Sequence, residues 1–356
     1  MLTLILAVGS CRKEEDIIDP VPVIPESSDV RFDLNEVPYA KLSDYKFFLG
    51  EITELNPNER VLPYDVITPL FADYAKKKKF IWMPEGSSAS YASDSEILNF
   101  PEGTVMIKSF FYDHVLPNDS RKYLETRLIY LKNGEWKFAD YIWNEEQTEA
   151  YFNLDGAEVP VEWLENGTDN KNVNFRIPAE SECFTCHKSN DLAMPIGPKP
   201  QNLNRDFEYD EGSMNQLQKW IEYGYLENTL PANIITVVDW QDASQNLTDR
   251  VRAYVDINCA HCHRQNSHCS YRDLRFAYSE TTDMHNLGVC MEPAEDLGAA
   301  LTYVVAAGNI ERSVMHYRMN TTNPAQRMPL LGRTMIHNEA ITLFEEWINS
   351  LNPPCP

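Results

Sequence analysis

Residues 104–143 read TVMIKSFFYDHVLPNDSRKYLETRLIYLKNGEWKFADYIW, and this stretch decides the fold class of the first half of the chain. Thr104 to Phe111, Glu125 to Leu131 and Trp136 to Trp143 are runs rich in β-branched and aromatic residues. Such residues fit a pleated, half-buried surface better than a helix. Pro117-Asn118-Asp119 separates the first two runs. Asn133-Gly134 separates the last two and supplies the pair of positive φ angles that a tight hairpin needs. Working outward, Phe80-Ile81-Trp82-Met83 precedes the stretch and Val173 to Ile177 follows it, with Pro101-Glu102-Gly103 and Asn166-Gly167 as further turn signals. Short strands at this spacing predict an antiparallel sandwich or barrel over residues 40–178, a mainly-β domain. The lysine run Lys76 to Lys79 reads as a solvated loop.

From about residue 179 the pattern turns helical. Met214 to Tyr223 and Leu247 to Ile257 are amphipathic, and Ala340, Leu343, Phe344, Trp347, Ile348 and Leu351 form one stripe at 3.6 spacing. Asn338 is the expected N-cap of this last helix, and Pro353-Pro354 stops it. The whole chain has 356 residues, 43% apolar and 24% charged, which is ordinary globular usage. Its 54 Asp and Glu against 31 Lys and Arg give a formal charge of −23. Phosphate backbones would be repelled, so nucleic acid is excluded as a partner, whereas a basic protein surface would be attracted.

The chemistry lies in two short motifs. Cys183-Phe184-Thr185-Cys186-His187 and Cys259-Ala260-His261-Cys262-His263 are both Cys-x-x-Cys-His, in a chain holding eight cysteines and eight histidines. Two thiols three residues apart on one helical turn can form thioethers to the two vinyl groups of a haem, and the following histidine then meets the iron as proximal ligand. The expectation is two c-type haems, attached through Cys183 and Cys186 and through Cys259 and Cys262, with His187 and His263 on the irons. A zinc site built from both pairs would have to join cysteines 73–79 positions apart and would leave the repeated histidine unexplained. A thioredoxin-like pair explains neither the histidine nor the second copy. For the first haem, Met194 of Met194-Pro195 is the expected distal ligand, with Met214, Met83 and His114 also conceivable.

Of the other cysteines, Cys269 and Cys290 enclose a loop and are the expected disulfide, with Cys355 either a spare thiol or a replacement for one partner, since spacing does not decide among the three connectivities. Residues 1–11, MLTLILAVGSC, resemble a bacterial lipoprotein signal segment in which Cys11 becomes the lipidated residue. No Lys or Arg precedes the apolar run, so the true start is expected upstream. Residues 12–39 are charged and proline-bearing and read as an extended tether. Arg12 stands where an inner-membrane retention signal would place Asp. The expected location is therefore the periplasmic or cell-surface face of an outer membrane, with the lipid as the only membrane contact.

The segment order helix, Cys259 to His263, Met328-Pro329, helix resembles a class I cytochrome c, whose methionine before the proline is the distal ligand; the resemblance implies Met328 for the second haem, with Met315, Met319 and Met335 nearby. Over residues 40–351 the chain resembles exported dihaem c-type cytochromes that carry a non-haem N-terminal domain and are encoded near parallel β-helix repeat proteins. The resemblance rests on Leu62-Pro63-Tyr64-Asp65, Thr68-Pro69-Leu70-Phe71, Glu125-Thr126-Arg127-Leu128, Trp143 to Thr148, Pro195-Ile196-Gly197-Pro198-Lys199, Asn202 to Asp206, Asn258 to His263 and Gly288-Val289-Cys290. It implies a multidomain chain: a β-rich domain over 40–178, a first haem region over 179–240 and a mainly-α cytochrome c-like domain over 241–356. The implied role is electron transfer by a two-haem relay to redox partner proteins. The alternative is a dihaem enzyme of the cytochrome c peroxidase type, with the first haem as the reactive site.

Overall fold

The computed structural model describes residues 29–356. Residues 1–28, including Cys11 and the first part of the expected tether, lie outside the described residues. A small ribbon, β1 (Phe48–Leu49) with β2 (Asn56–Pro57), comes first. The main feature is one eight-stranded antiparallel sheet built from β3 (Leu62–Tyr64), β4 (Lys76–Trp82), β5 (Val105–Val115), β6 (Ser120–Lys132), β7 (Glu135–Trp143), β8 (Ala150–Asn153), β9 (Ala157–Glu165) and β10 (Asp169–Ile177). Strands β3 to β8 follow one another across the sheet, and the β9–β10 hairpin joins β5 at its far end through Val115 and Trp163. The Asn133-Gly134 turn forms as expected. Lys132 pairs with Glu135, and the two turn residues have φ of 56° and 73°. The sheet is open, so the sequence expectation of a barrel or of two stacked sheets is corrected to a single sheet covered by irregular chain.

One sheet face carries Phe80, Val105, Ile107, Leu128, Tyr130, Ala139 and Tyr141. It is covered by Val37, Leu42, Tyr45, Phe47 and Leu55. Residues 29–39, read from sequence as tether, thus belong to the core: Phe32 packs its ring on Tyr45, Trp82 and Tyr130. The lysine run is also not a loop. Lys76 to Lys79 open β4 and register with Phe111 to Lys108 of β5. Alternation sends Lys77 and Lys79 to one face and Lys76 and Lys78 to the other.

The expected mainly-α, cytochrome c-like region does not form. Among the described residues the second half holds six helices: α1 (Glu180–Cys186), α2 (Pro200–Leu203), α3 (Gln216–Glu222), α4 (Leu247–Asn258), α5 (Val314–Met319) and α6 (Asn338–Ser350). Only α4, with 12 residues, and α6, with 13, exceed two turns. Two ribbons, β11 (Lys188–Ser189) with β12 (Leu192–Ala193) and β13 (Asp206–Tyr209) with β14 (Gly212–Asn215), supply the remaining strands. Residues 259–313 contain no named helix or strand. The periodicity of α4 and α6 is real, and Val251, Tyr254 and Val255 pack on Leu343, Phe344 and Trp347. The chain between them is held by side chain to backbone bonds instead. Arg333, buried, donates to the carbonyls of Met328, Met335, Arg318 and Thr321. The N-cap position of α6 is His337, one residue before the expected Asn338.

The two halves interlock. The Asp73 carboxylate accepts from the Thr334 N–H and hydroxyl and from the Met335 N–H at 2.8 Å each. Phe71 N–H donates to Asn258 Oδ1, and Thr68 N–H to Asn202 Oδ1. The segment between β3 and β4 therefore carries the second half on its back.

Candidate functional site

The first motif occupies the last turn of α1 and the residue after it. Arg176 at the end of β10 bonds both oxygens of Glu182, and Glu182 also accepts from Ala179 N–H, which fixes where α1 begins. His187 follows, its N–H bonded to the Cys183 carbonyl. The β11–β12 ribbon then turns the chain back, with Asn190 and Asp191 both at positive φ, and lays Met194 beside His187. The His187 Nδ1 lies 2.7 Å from the Met194 carbonyl oxygen. A carbonyl can only accept, so Nδ1 carries the proton and Nε2 keeps the lone pair. This is the arrangement in which a metal-binding imidazole is oriented by its other nitrogen. Burial lowers the His187 pKa to about 3, so the ring is neutral.

The second motif follows α4 directly. Asn246 caps that helix through the N–H groups of Thr248 and Asp249. Cys259 and Ala260 N–H both bond to the Val255 carbonyl, and His263 N–H bonds to the Cys259 carbonyl. His263 packs on Phe276 at 5.3 Å, and its buried Nδ1 has no hydrogen-bond partner among the described residues. Burial lowers its pKa to about 4.

The two motifs face each other across a continuous cavity of about 520 Å³, bordered by Cys183, Cys186, His187, Cys259, Cys262 and His263. That volume lies within the ordinary range of cofactor pockets. Their second cysteines nearly touch: Cys186 Sγ, Cys262 Sγ and a His261 ring nitrogen lie within 4.8 Å of one another. A hydrogen bond from Cys262, with His261 nearby, lowers the Cys186 pKa to about 4, while the Cys262 thiol moves upward. Burial raises Cys183 to about 11 and Cys259 to about 12.

Met328 also borders the cavity, held by its N–H to the Arg318 carbonyl. Met315 and Met319 border it too, whereas Met335 packs with the Tyr112 and Trp163 cluster. Met194 turns its carbonyl, and not its sulfur, toward His187. It sits behind His187, on the Nδ1 side, where its sulfur accepts from Arg264 at 2.7 Å and borders a separate pocket of about 30 Å³. If His187 held a metal through Nε2, Met194 would steady the ring through its carbonyl. Met83 and Met214 pack in the apolar core beyond β4, and His114 is exposed and bonded to Asp119. The expected Cys269–Cys290 disulfide is corrected. Cys290 bonds Cys355, with Cα atoms 5.3 Å apart, and Cys269 is a buried free thiol beside the cavity.

Two residues at this site were not singled out from sequence. His261 lies inside the second motif, where its spacing gives no sign that it meets Cys186. His337 borders the cavity and stacks on Phe71 at 4.0 Å. Chemically, the arrangement offers two pairs of thiols, each followed by a neutral imidazole, on one cavity. This donor set fits a covalently attached haem at each motif. Cys186, Cys262 and His261 alone would instead suit one soft divalent ion with an open fourth position.

Among the described residues no helix is long and apolar enough to cross a membrane. No family model, curated protein or solved structure matches the chain.

Proposed function

We propose that this protein is an exported dihaem c-type cytochrome that carries electrons between protein partners. The observation that carries the reading is the meeting of two Cys-x-x-Cys-His motifs on one cavity, with Cys186 and Cys262 as their point of closest approach. Bound haem would supply a reversible one-electron iron couple. Cys183, Cys186, Cys259 and Cys262 would hold it as thioethers. His187, neutral and aimed by the Met194 carbonyl, would present Nε2, and His263 would act likewise at the second site. Met328 is the proposed distal ligand there. The sheet and the loops of the second half form the walls of this cavity. Export through the segment ending at Cys11, a lipid anchor and docking to basic redox partners belong to the same reading.

A second reading, a peroxidase-type enzyme, is favoured by one observation: with Met194 behind His187, no methionine is assigned to the open side of the first site. One experiment separates these readings. Pyridine haemochrome and metal analysis of protein matured with the c-type assembly machinery should give two haems per chain, and one in each of the double variants Cys183→Ser/Cys186→Ser and Cys259→Ser/Cys262→Ser. One zinc per chain and no haemochrome would overturn the haem reading in favour of the Cys186–His261–Cys262 site. Two low-spin irons unchanged by hydrogen peroxide support the carrier. One high-spin iron that reacts supports the enzyme.

A further inference from the structure

A row of charge crosses the sheet face that looks into the cavity. Register places Lys79 of β4 opposite Lys108 of β5, Lys108 opposite Arg127 of β6, and Arg127 opposite Asp140 of β7. Directly opposed side chains on one face stand about 5 Å apart at Cβ, and like charges so placed repel. Two of the three cations are answered by carboxylates. Lys79 pairs with Asp65. Arg127 donates Nε and Nη2 to the two oxygens of Glu125, which is fully buried, and has Asp140 at 3.9 Å. Lys108, in the middle, has no hydrogen bond and no ion pair among the described residues; its nearest ring, Phe110, is 5.9 Å from the ammonium. It is half-buried and borders the cavity together with Arg127 and Phe138. Phe138 is also the ring on which His187 rests, at 5.0 Å. The charges of Lys108 and Arg127 both act on the His187 imidazole.

A half-buried ammonium on the cavity wall, flanked by two cations and lacking a counter-ion among the described residues, is a costly arrangement unless an anion completes it. The open side of Lys108 is the cavity. We propose that Lys108, with Arg127 beside it, is an oxyanion clamp on the wall of the first attachment site, and that it seats a propionate carboxylate of the haem bound at Cys183, Cys186 and His187. This rests on the haem reading above. The same chemistry would suit a free carboxylate or phosphate, so the test distinguishes these sources.

The test uses the full, haem-loaded chain as wild type, Lys108→Met and Lys108→Arg, with haem content fixed first by pyridine haemochrome. Potentiometric titration resolves the two irons, and resonance Raman reads the propionate bending band. Removing the cation should lower the potential of one haem only and shift the propionate band, because ferrous iron is favoured by nearby positive charge. Lys108→Arg should restore both signals, and added inorganic phosphate should change neither. Unchanged potentials and band in Lys108→Met would overturn the clamp. A wild-type potential that moves with phosphate, lost in Lys108→Met, would overturn the propionate as occupant. If the wild type carries no haem, the haem reading fails separately. Calorimetric titration of the haem-free protein with inorganic phosphate then decides the clamp: binding lost in Lys108→Met supports it, and no binding overturns it.

Discussion

At the scale of single residues, the site is made by atoms that a sequence does not display. His337 stacks on Phe71 at 4.0 Å, meets Trp240 at 5.1 Å and shares a hydrogen bond between Nδ1 and the Tyr254 hydroxyl at 3.0 Å. Burial lowers its pKa to about 4, against about 6.5 when unfolded. The folded value lies below the unfolded one, so as pH falls the unfolded chain takes up the proton first. The stability held by the neutral ring is whole above about pH 6.5 and is lost as pH falls toward about 4, up to ~3 kcal/mol if the ring acted alone. Chemical denaturation of the haem-free protein across this window should show falling stability, with a shallower slope in His337→Phe. His187 and His263 titrate in the same direction, so the slope should not vanish. An identical slope in the variant would mean that His337 is already protonated in the folded protein. Met194 shows why such roles escape a sequence reading. Its thioether is the conspicuous group, whereas the atom the site uses is its carbonyl oxygen, placed by a two-residue turn at Asn190-Asp191. The two Cys-x-x-Cys-His motifs, by contrast, are recognised from local spacing alone, and the structure brings them to one cavity.

At the scale of elements, legibility follows the origin of each element's stability. Strands β5, β6 and β7 and helices α4 and α6 bury periodic apolar faces, and their positions could be read from that period. Strand β4 begins with four lysines and carries no apolar period there; it is a strand because β5 supplies its hydrogen-bond partner and Asp65, Asp113 and two carbonyls receive the four ammonium groups. The C-terminal tail is the same case. After α6 the chain folds back so that Cys355 lies against Val305 and Ala307, and there it bonds Cys290, 65 residues earlier. Sequence spacing does not decide among the three possible pairings, and the expected Cys269–Cys290 pair gives way because pairing is decided by which sulfurs the tertiary fold brings together. Closing so long a loop is typically worth ~2–4 kcal/mol. Cys355→Ser should therefore lower the denaturation midpoint by an amount of that order. A non-reducing peptide map should give one cross-linked pair, Cys290 with Cys355. Recovery of a Cys269–Cys290 peptide would show the assignment to be wrong.

At the scale of the whole molecule, the second half is not a free-standing helical domain but chain laid over a sheet. Its anchors are Asp73, Phe71 and Thr68 on the segment before β4, meeting Thr334, Asn258 and Asn202. These are contacts between residues more than a hundred positions apart, which is why the sequence order helix, motif, helix suggested a cytochrome c-like bundle that the folded chain does not contain. The global property that was legible is charge. A net charge of −23 surrounds the chain with negative potential, while the cavity wall gathers Lys108, Arg127, Arg318 and Arg333. If electrons enter from a protein donor, the approach is governed by the outer charge, because it acts over a Debye length of ~10 Å at 0.1 M salt and ~30 Å at 0.01 M, before any cavity group is felt. Reduction of the haem-loaded protein by a small basic redox protein should therefore be fast at low ionic strength and slow progressively as salt is added. An acidic donor of similar size and potential should show the reverse trend. A salt-independent rate with the basic donor, at concentrations below saturation, would mean that docking uses a patch whose local charge is cancelled, and the expectation of basic partners would fall with it.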